Sequence, residues 1–173
     1  HPEDFEEILD NLIADEQERL FHRTTQVEAP LALAQILIRY IDHGADEKAV
    51  WKKYGKTVKK VFESYLPGGR KEVVMHPNGL LWAQMDGVAL SWMNAYVGGR
   101  AVTERAGYQV ETHAFWYNSI CFALEMEQKF PTEDSAEFVA RWTPIRDRVL
   151  AGFQPKFWNE KLGILADYVD EAG

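Results

Sequence analysis

Between residues 80 and 118 the chain sets carboxylates, amides and an arginine among large aromatic rings. Asp86, Asn94, Arg105, Glu111 and Asn118 stand beside Trp82, Trp92, Tyr96, Trp116 and Tyr117. The flat face of a sugar ring buries well against an aromatic face, while its hydroxyls need carboxylate, amide and guanidinium partners. This mixture suits saccharide binding, with Trp82, Trp92, Arg105, Tyr108, Trp116 and Asn118 as candidate contacts. On residue type alone, core packing is the stronger reading for Trp82 and Trp116. Glu111 serves a helix N-terminus as well as it serves a ligand. His113, three residues before Trp116, reads as hydrogen-bonded structure rather than a catalyst.

Other chemistries find little support. The histidines at 22, 43, 76 and 113 show no paired ligand spacing, and Cys121 stands alone, so neither a metal site nor a cofactor is expected. Gly68-Gly69 and Gly98-Gly99 lack the strand-to-helix setting of a phosphate loop, and no serine sits in a nucleophile elbow. A net charge of −8 argues against nucleic acid as a partner. The lysines at 48, 52, 53, 56, 59 and 60 interleave with apolar residues at helical spacing, which describes a wet helix face better than an anion-binding strip. No apolar run is long enough to span a membrane. The chain opens on His1 rather than Met, which reads as a processed end or an excised fragment.

The elements that must carry the aromatic stretch are helices. Apolar residues three and four apart predict amphipathic helices over 2–21, 45–66 and 132–153, with Asp46 capping the second. Pro144 is expected to kink or split the last of these. Its stripe is Phe138, Trp142, Ile145, Val149 and Leu150. Residues 29–43 and 110–130 are apolar nearly all round and so predict helices buried on most sides. Outer and inner helices therefore alternate, and the links alternate between short and long. Helical hairpins of that kind build an α/α toroid, an all-α ring whose long links gather above the N-termini of the inner helices. The link over 66–109 far exceeds the ordinary length of about 15 residues, above which loops are functional or disordered, and its tryptophans exclude disorder. Pro77-Asn78-Gly79 predicts a short β-hairpin within it. The tail after Phe157 reads as extended, with a turn at Lys161-Leu162-Gly163.

Three segments taken in order resemble a known family. "HPNGLLWAQMDGVALSWMNAYVGG", "VTERAGYQVETHAFWYNSI" and "FWNEKLGILADYVD" resemble the amylo-α-1,6-glucosidase part of glycogen debranching enzymes, as does "TTQVEAPLALAQILIRYI", an acid-Ala-Pro followed by a buried helix. The resemblance implies part of an (α/α)6 toroid, a single partial domain over 1–173 belonging to a longer chain. It also implies inverting hydrolysis of α-1,6-linked glucose at a trimmed branch point of glycogen or another α-glucan. Where the family's motif supplies an Asp as general acid, this chain has Asn94, with Asp86 or Glu111 as possible substitutes. An amide cannot donate and recover a proton at neutral pH. A carbohydrate-binding or scaffolding domain without turnover is the alternative implied. The catalytic base is expected outside this chain, the location in the cytoplasm, and self-association through the exposed edges of a partial ring.

Overall fold

The computed structural model describes residues 6–11, 14 and 26–170. Most of the helix expected over 2–21 lies outside these residues, although 6–11 are helical and Leu9 is buried there. Four long helices follow: α1 (Ala29–Asp42), α2 (Glu47–Ser64), α3 (Val110–Lys129) and α4 (Ser135–Phe157). α1 starts on Pro30, whose missing N–H costs nothing in a first turn, and stops at His43 and Gly44, where φ is +100°. Asp46 caps α2 by accepting from the Ala49 amide at 2.7 Å.

Burial separates the helices into two kinds. In α3 the buried residues include Thr112, His113, Trp116, Ser119, Phe122 and Glu127, a wide face that leaves exposed the strip of Ala114, Asn118, Glu125 and Lys129. α2 buries one stripe, Val50, Trp51, Tyr54, Val58, Val61 and Phe62, and turns its lysines outward except Lys59, which reaches in to Glu127. α4 likewise buries Phe138, Trp142, Ile145 and Val149. Leu150, expected in that stripe, is instead 58% exposed. Helix α4 continues through both Pro144 and Pro155. Each proline removes one ladder bond, and the helix is held through both by the buried stripe of Phe138, Trp142, Ile145 and Val149 packed against α3.

α1 lies along α3, and each forms a hairpin with the helix that follows it. The two hairpins share an aromatic core. Phe62 of α2 sits 5.3 Å from Trp116 of α3 and 5.0 Å from Trp142 of α4, centroid to centroid. Trp116 and Trp142 meet edge to face at 5.6 Å.

The long link between α2 and α3 carries the expected hairpin. β1 (Val73–Met75) pairs antiparallel with β2 (Leu81–Ala83), Val74 facing Trp82. Gly79 closes the turn at φ +83°, and its carbonyl accepts from the Trp116 indole at 3.0 Å. A second hairpin, β3 (Tyr96–Val97) with β4 (Arg100–Ala101), turns at Gly98-Gly99 and is largely exposed. β5 (Tyr108–Gln109) leads into α3. The tail forms a hairpin from β6 (Trp158–Asn159) and β7 (Ile164–Leu165), then returns as β8 (Tyr168–Val169) to pair with β5. Gly107 makes that return possible. Its φ is +125°, and a Cβ there would stand 2.3 Å from the Val169 carbonyl oxygen.

Candidate functional site

Glu28 and Glu111 stand at the N-terminal ends of α1 and α3, and the link delivers Ser91, Trp92 and Arg105 between them. The backbone before α1 is tied into place from two directions. The Val27 amide donates to the Leu90 carbonyl at 2.9 Å, and the Tyr65 hydroxyl donates to the Val27 carbonyl. Glu28 is thereby held 8% exposed, with Oε2 buried and without a hydrogen-bond partner. Burial pushes its carboxyl above the usual carboxylate range. The amides of Glu28 and Trp92 act against that rise, the Glu111 charge adds to it, and Arg105 opposes it.

Glu111 is controlled in the opposite sense. Burial would raise it, but hydrogen bonds from Arg105, its own backbone amide and the Trp92 side chain bring it below the usual range. Arg105 is 3% exposed, and its fork is filled by protein acceptors. Nη1 donates to Ser91 Oγ at 3.2 Å and to Glu111 Oε1, and Nη2 donates to Glu111 Oε2 at 2.8 Å. On the opposite side, Nε and Nη2 each donate to the Asp167 carboxylate at 2.9 Å, and Nη2 also donates to the Asp167 carbonyl at 3.0 Å. No N–H is left for a ligand. Trp92, 60% exposed, presents its ring to solvent above this pair of carboxyls. Two neighbouring carboxyls held on opposite sides of their ordinary proton affinity, beside an open aromatic face, can both donate to and accept from sugar hydroxyls.

The other expected residues divide. Asn94 and Asp86 lie exposed on the link, two and eight positions along the chain from Trp92 and Asn94 respectively. Asn118 is exposed on the flank of α3, where it donates to Gln35 of α1 at 2.8 Å. Trp116 is wholly buried in the aromatic core, so its ring is a packing element. Trp82 and Tyr108 form a separate cluster with His76. Trp82 stacks on His76 at 5.7 Å and meets Tyr108 edge to face at 5.0 Å, while His76 Nδ1 lies 2.8 Å from the Tyr108 hydroxyl. His113 is structural, as its sequence setting indicates. Its Nδ1–H donates to the Gln109 carbonyl at 2.7 Å and its Nε2 accepts from the Leu81 amide at 2.9 Å, and burial pulls its pKa down to about 4. Glu28, Ser91 and Asp167 were missing from the sequence-derived set. The acid before Ala-Pro at the head of a fully apolar helix was the available sign for Glu28.

Among the described residues no group of three or more His, Cys, Asp or Glu side chains is placed to hold a metal ion. No helix among them is long and apolar enough to cross a membrane.

Helical hairpins that bring paired carboxyls and an open tryptophan to the heads of their buried helices are an arrangement suited to a glycoside hydrolase. The family model described as amylo-alpha-1,6-glucosidase matches residues 6–173, and the chain belongs to that family. The family suggested by the sequence segments is thus the one that matches. No curated protein matches the chain.

Proposed function

We propose that this chain forms one wall of the α-glucan pocket of a glycogen debranching glucosidase, and that the pocket hydrolyses α-1,6-linked glucose at a trimmed branch point. The observation that carries this reading is the convergence of Glu28, Glu111 and Trp92 at the heads of two buried helices. In this reading α1 to α4 are two of the hairpins of an (α/α)6 ring, and the long link lies over the ring's mouth. Trp92 takes the apolar face of the terminal glucose. Glu111, kept ionised by Arg105, accepts from its hydroxyls, and Glu28, which holds its proton further toward neutral pH, donates as well as accepts.

Inverting hydrolysis needs a carboxylic acid to protonate the leaving oxygen and a carboxylate to activate water, about 6.5–9.5 Å apart. Asn94 occupies the place that the family resemblance gives to the acid, and its amide supplies no proton, so in this reading Glu28, the carboxyl that keeps its proton further toward neutral pH, protonates the leaving oxygen. The base is contributed from beyond the residues present here.

The test is binding and turnover together. Isomaltose and maltotriose, titrated calorimetrically, are expected to bind with affinity that falls about tenfold or more in Glu28→Ala and Glu111→Ala. Glucose release from a phosphorylase limit dextrin is expected to be negligible for the 173-residue chain. Unaltered affinity in both variants, or no affinity in the unmodified chain, overturns the reading. Saccharide binding that persists in a parent protein without turnover, unimproved by Asn94→Asp, makes the protein a carbohydrate-binding domain instead.

A further inference from the structure

Among the described residues, Arg105 is the non-glycine residue with a left-handed backbone, at φ +49°. A side chain held in that region is strained, and such strain persists where the surroundings over-determine it, most often at functional sites. Here the surroundings are specific. The guanidinium is gripped from one side by Glu111 and from the other by Asp167, with Ser91 taking the remaining donor. Asp167 lies on the returning tail, whose backbone also accepts from the Val110 amide at 3.1 Å, at the first residue of α3. The Glu111 side chain keeps 23% of its surface, while that of Arg105 keeps 1%. The ligand therefore meets the carboxylate and not the guanidinium.

We propose that Arg105, braced from the tail by Asp167, is a positioning residue that fixes the direction of the Glu111 carboxylate in the saccharide site. Two parallel N–H bonds set both the rotamer and the plane of a carboxylate, which a lysine ammonium cannot do. The returning tail, through Asp167 just before β8, thus becomes part of the site's architecture. This inference rests on the glucan reading above, and it adds the distinction between the group that touches sugar and the groups that aim it.

The experiment uses the full chain and the variants Arg105→Lys and Asp167→Asn, with Glu111→Gln assigning the Glu111 signal in a carbon-detected NMR titration. With the fork removed, burial of Glu111 is opposed by less, its own amide and the Trp92 side chain remaining, so its titration midpoint is expected to rise in Arg105→Lys and by less in Asp167→Asn. Maltotriose affinity should fall roughly tenfold, the usual scale for losing a support behind a binding group. The loss should be larger at pH 5 than at pH 7, since a carboxyl whose midpoint has risen is protonated to a greater extent at the lower pH. A variant that melts earlier yet keeps the Glu111 midpoint and the affinity of the unmodified chain would show Arg105 to be a staple for the tail and nothing more. If the unmodified chain binds no saccharide, the glucan reading fails, and an unchanged midpoint would then overturn the Arg105 inference independently.

Discussion

Glutamates stand at both ends of α3, Glu127 on its last turn and Glu111 on its first beside Glu28 at the head of α1, and the two ends treat them differently. At the C-terminal end Glu127 is 1% exposed, and its oxygens have four protein partners. Oε1 accepts from the Trp51 indole at 2.7 Å and pairs with Lys59 at 2.8 Å, while Oε2 accepts from the Ser135 and Thr132 hydroxyls. At the N-terminal end Glu28 has an oxygen without a partner, and Glu111 retains a face toward solvent. A buried polar group left unsatisfied costs stability, so a fold tolerates it where something else is gained. The contrast separates a carboxylate that holds the structure together from carboxyls kept ready for a ligand. Both ends sit on the same helix, so neither burial nor charge alone tells a site from a strut; the completeness of the hydrogen bonding does.

The sharpest way to break this contrast is to remove Glu127. Glu127→Ala leaves the Trp51 indole without its acceptor, takes from the Ser135 hydroxyl one of its partners and deprives Lys59 of its buried counterion. Breaking a buried pair typically costs about 3–5 kcal/mol. Lys59 keeps Asp134 at 3.1 Å, which places the expected loss near the lower figure. A urea midpoint that falls with an unchanged slope would confirm it. A loss under about 1 kcal/mol would mean that the network is not the strut it resembles.

Gly107→Ala tests the link between the tail and the site. The new Cβ would have to displace the Val169 carbonyl from a separation of 2.3 Å, in a backbone region at φ +125° that side chains avoid. Strain of this kind costs about 1–3 kcal/mol, and it should appear locally. Amides of β5 and β8 should exchange hydrogen faster, while the α2–α3 end retains its protection. Uniform loosening of both ends would show that the tail belongs to the core rather than to the site.

How much of this was legible in the sequence follows the range of the forces involved. Helix positions were readable because apolar periodicity is local, and α1 and α3 were distinguishable from α2 and α4 by the width of their apolar faces. The Asp46 cap and the Pro77-Asn78-Gly79 turn were legible for the same reason. The return of β8 onto β5 was not, since two-residue strands carry no pattern and their pairing spans the whole of α3 and α4. Arg105 had the right chemistry for a sugar contact, but the acceptor that completes its fork is 62 residues away. Glu28 was overlooked because its distinction lies in what it lacks, and an orphaned oxygen leaves no trace in a sequence. For Trp116 core packing was already the stronger reading on residue type, and the rings of Phe62 and Trp142 close around it.

The smallest effect belongs to Glu28→Gln, and its sign is what matters. Because the folded protein holds the Glu28 proton more tightly than the unfolded chain does, the folded state keeps it while the unfolded state releases it as pH rises through the ordinary glutamate value of 4.5. Stability contributed by this group is therefore largest at low pH and declines as pH climbs toward the raised folded value. Glu111 and Asp134, both lowered, act in the reverse direction, losing their contribution as pH falls through their depressed values. The difference between Glu28→Gln and the unmodified chain isolates the first effect. At pH 4 the two should unfold at nearly the same midpoint. By pH 7 the glutamine variant should be equal or more stable, by up to about 1 kcal/mol, since a neutral amide avoids burying a charge with an unpaired oxygen. Saccharide affinity should weaken in the same variant, so stability and binding move apart. Thermal unfolding across pH 4–7 measures the first, and calorimetric titration with maltotriose the second. If Glu28→Gln instead destabilises the chain on the scale of Glu127→Ala, the two ends are alike, and Glu28 is a strut rather than a carboxyl kept ready for a ligand.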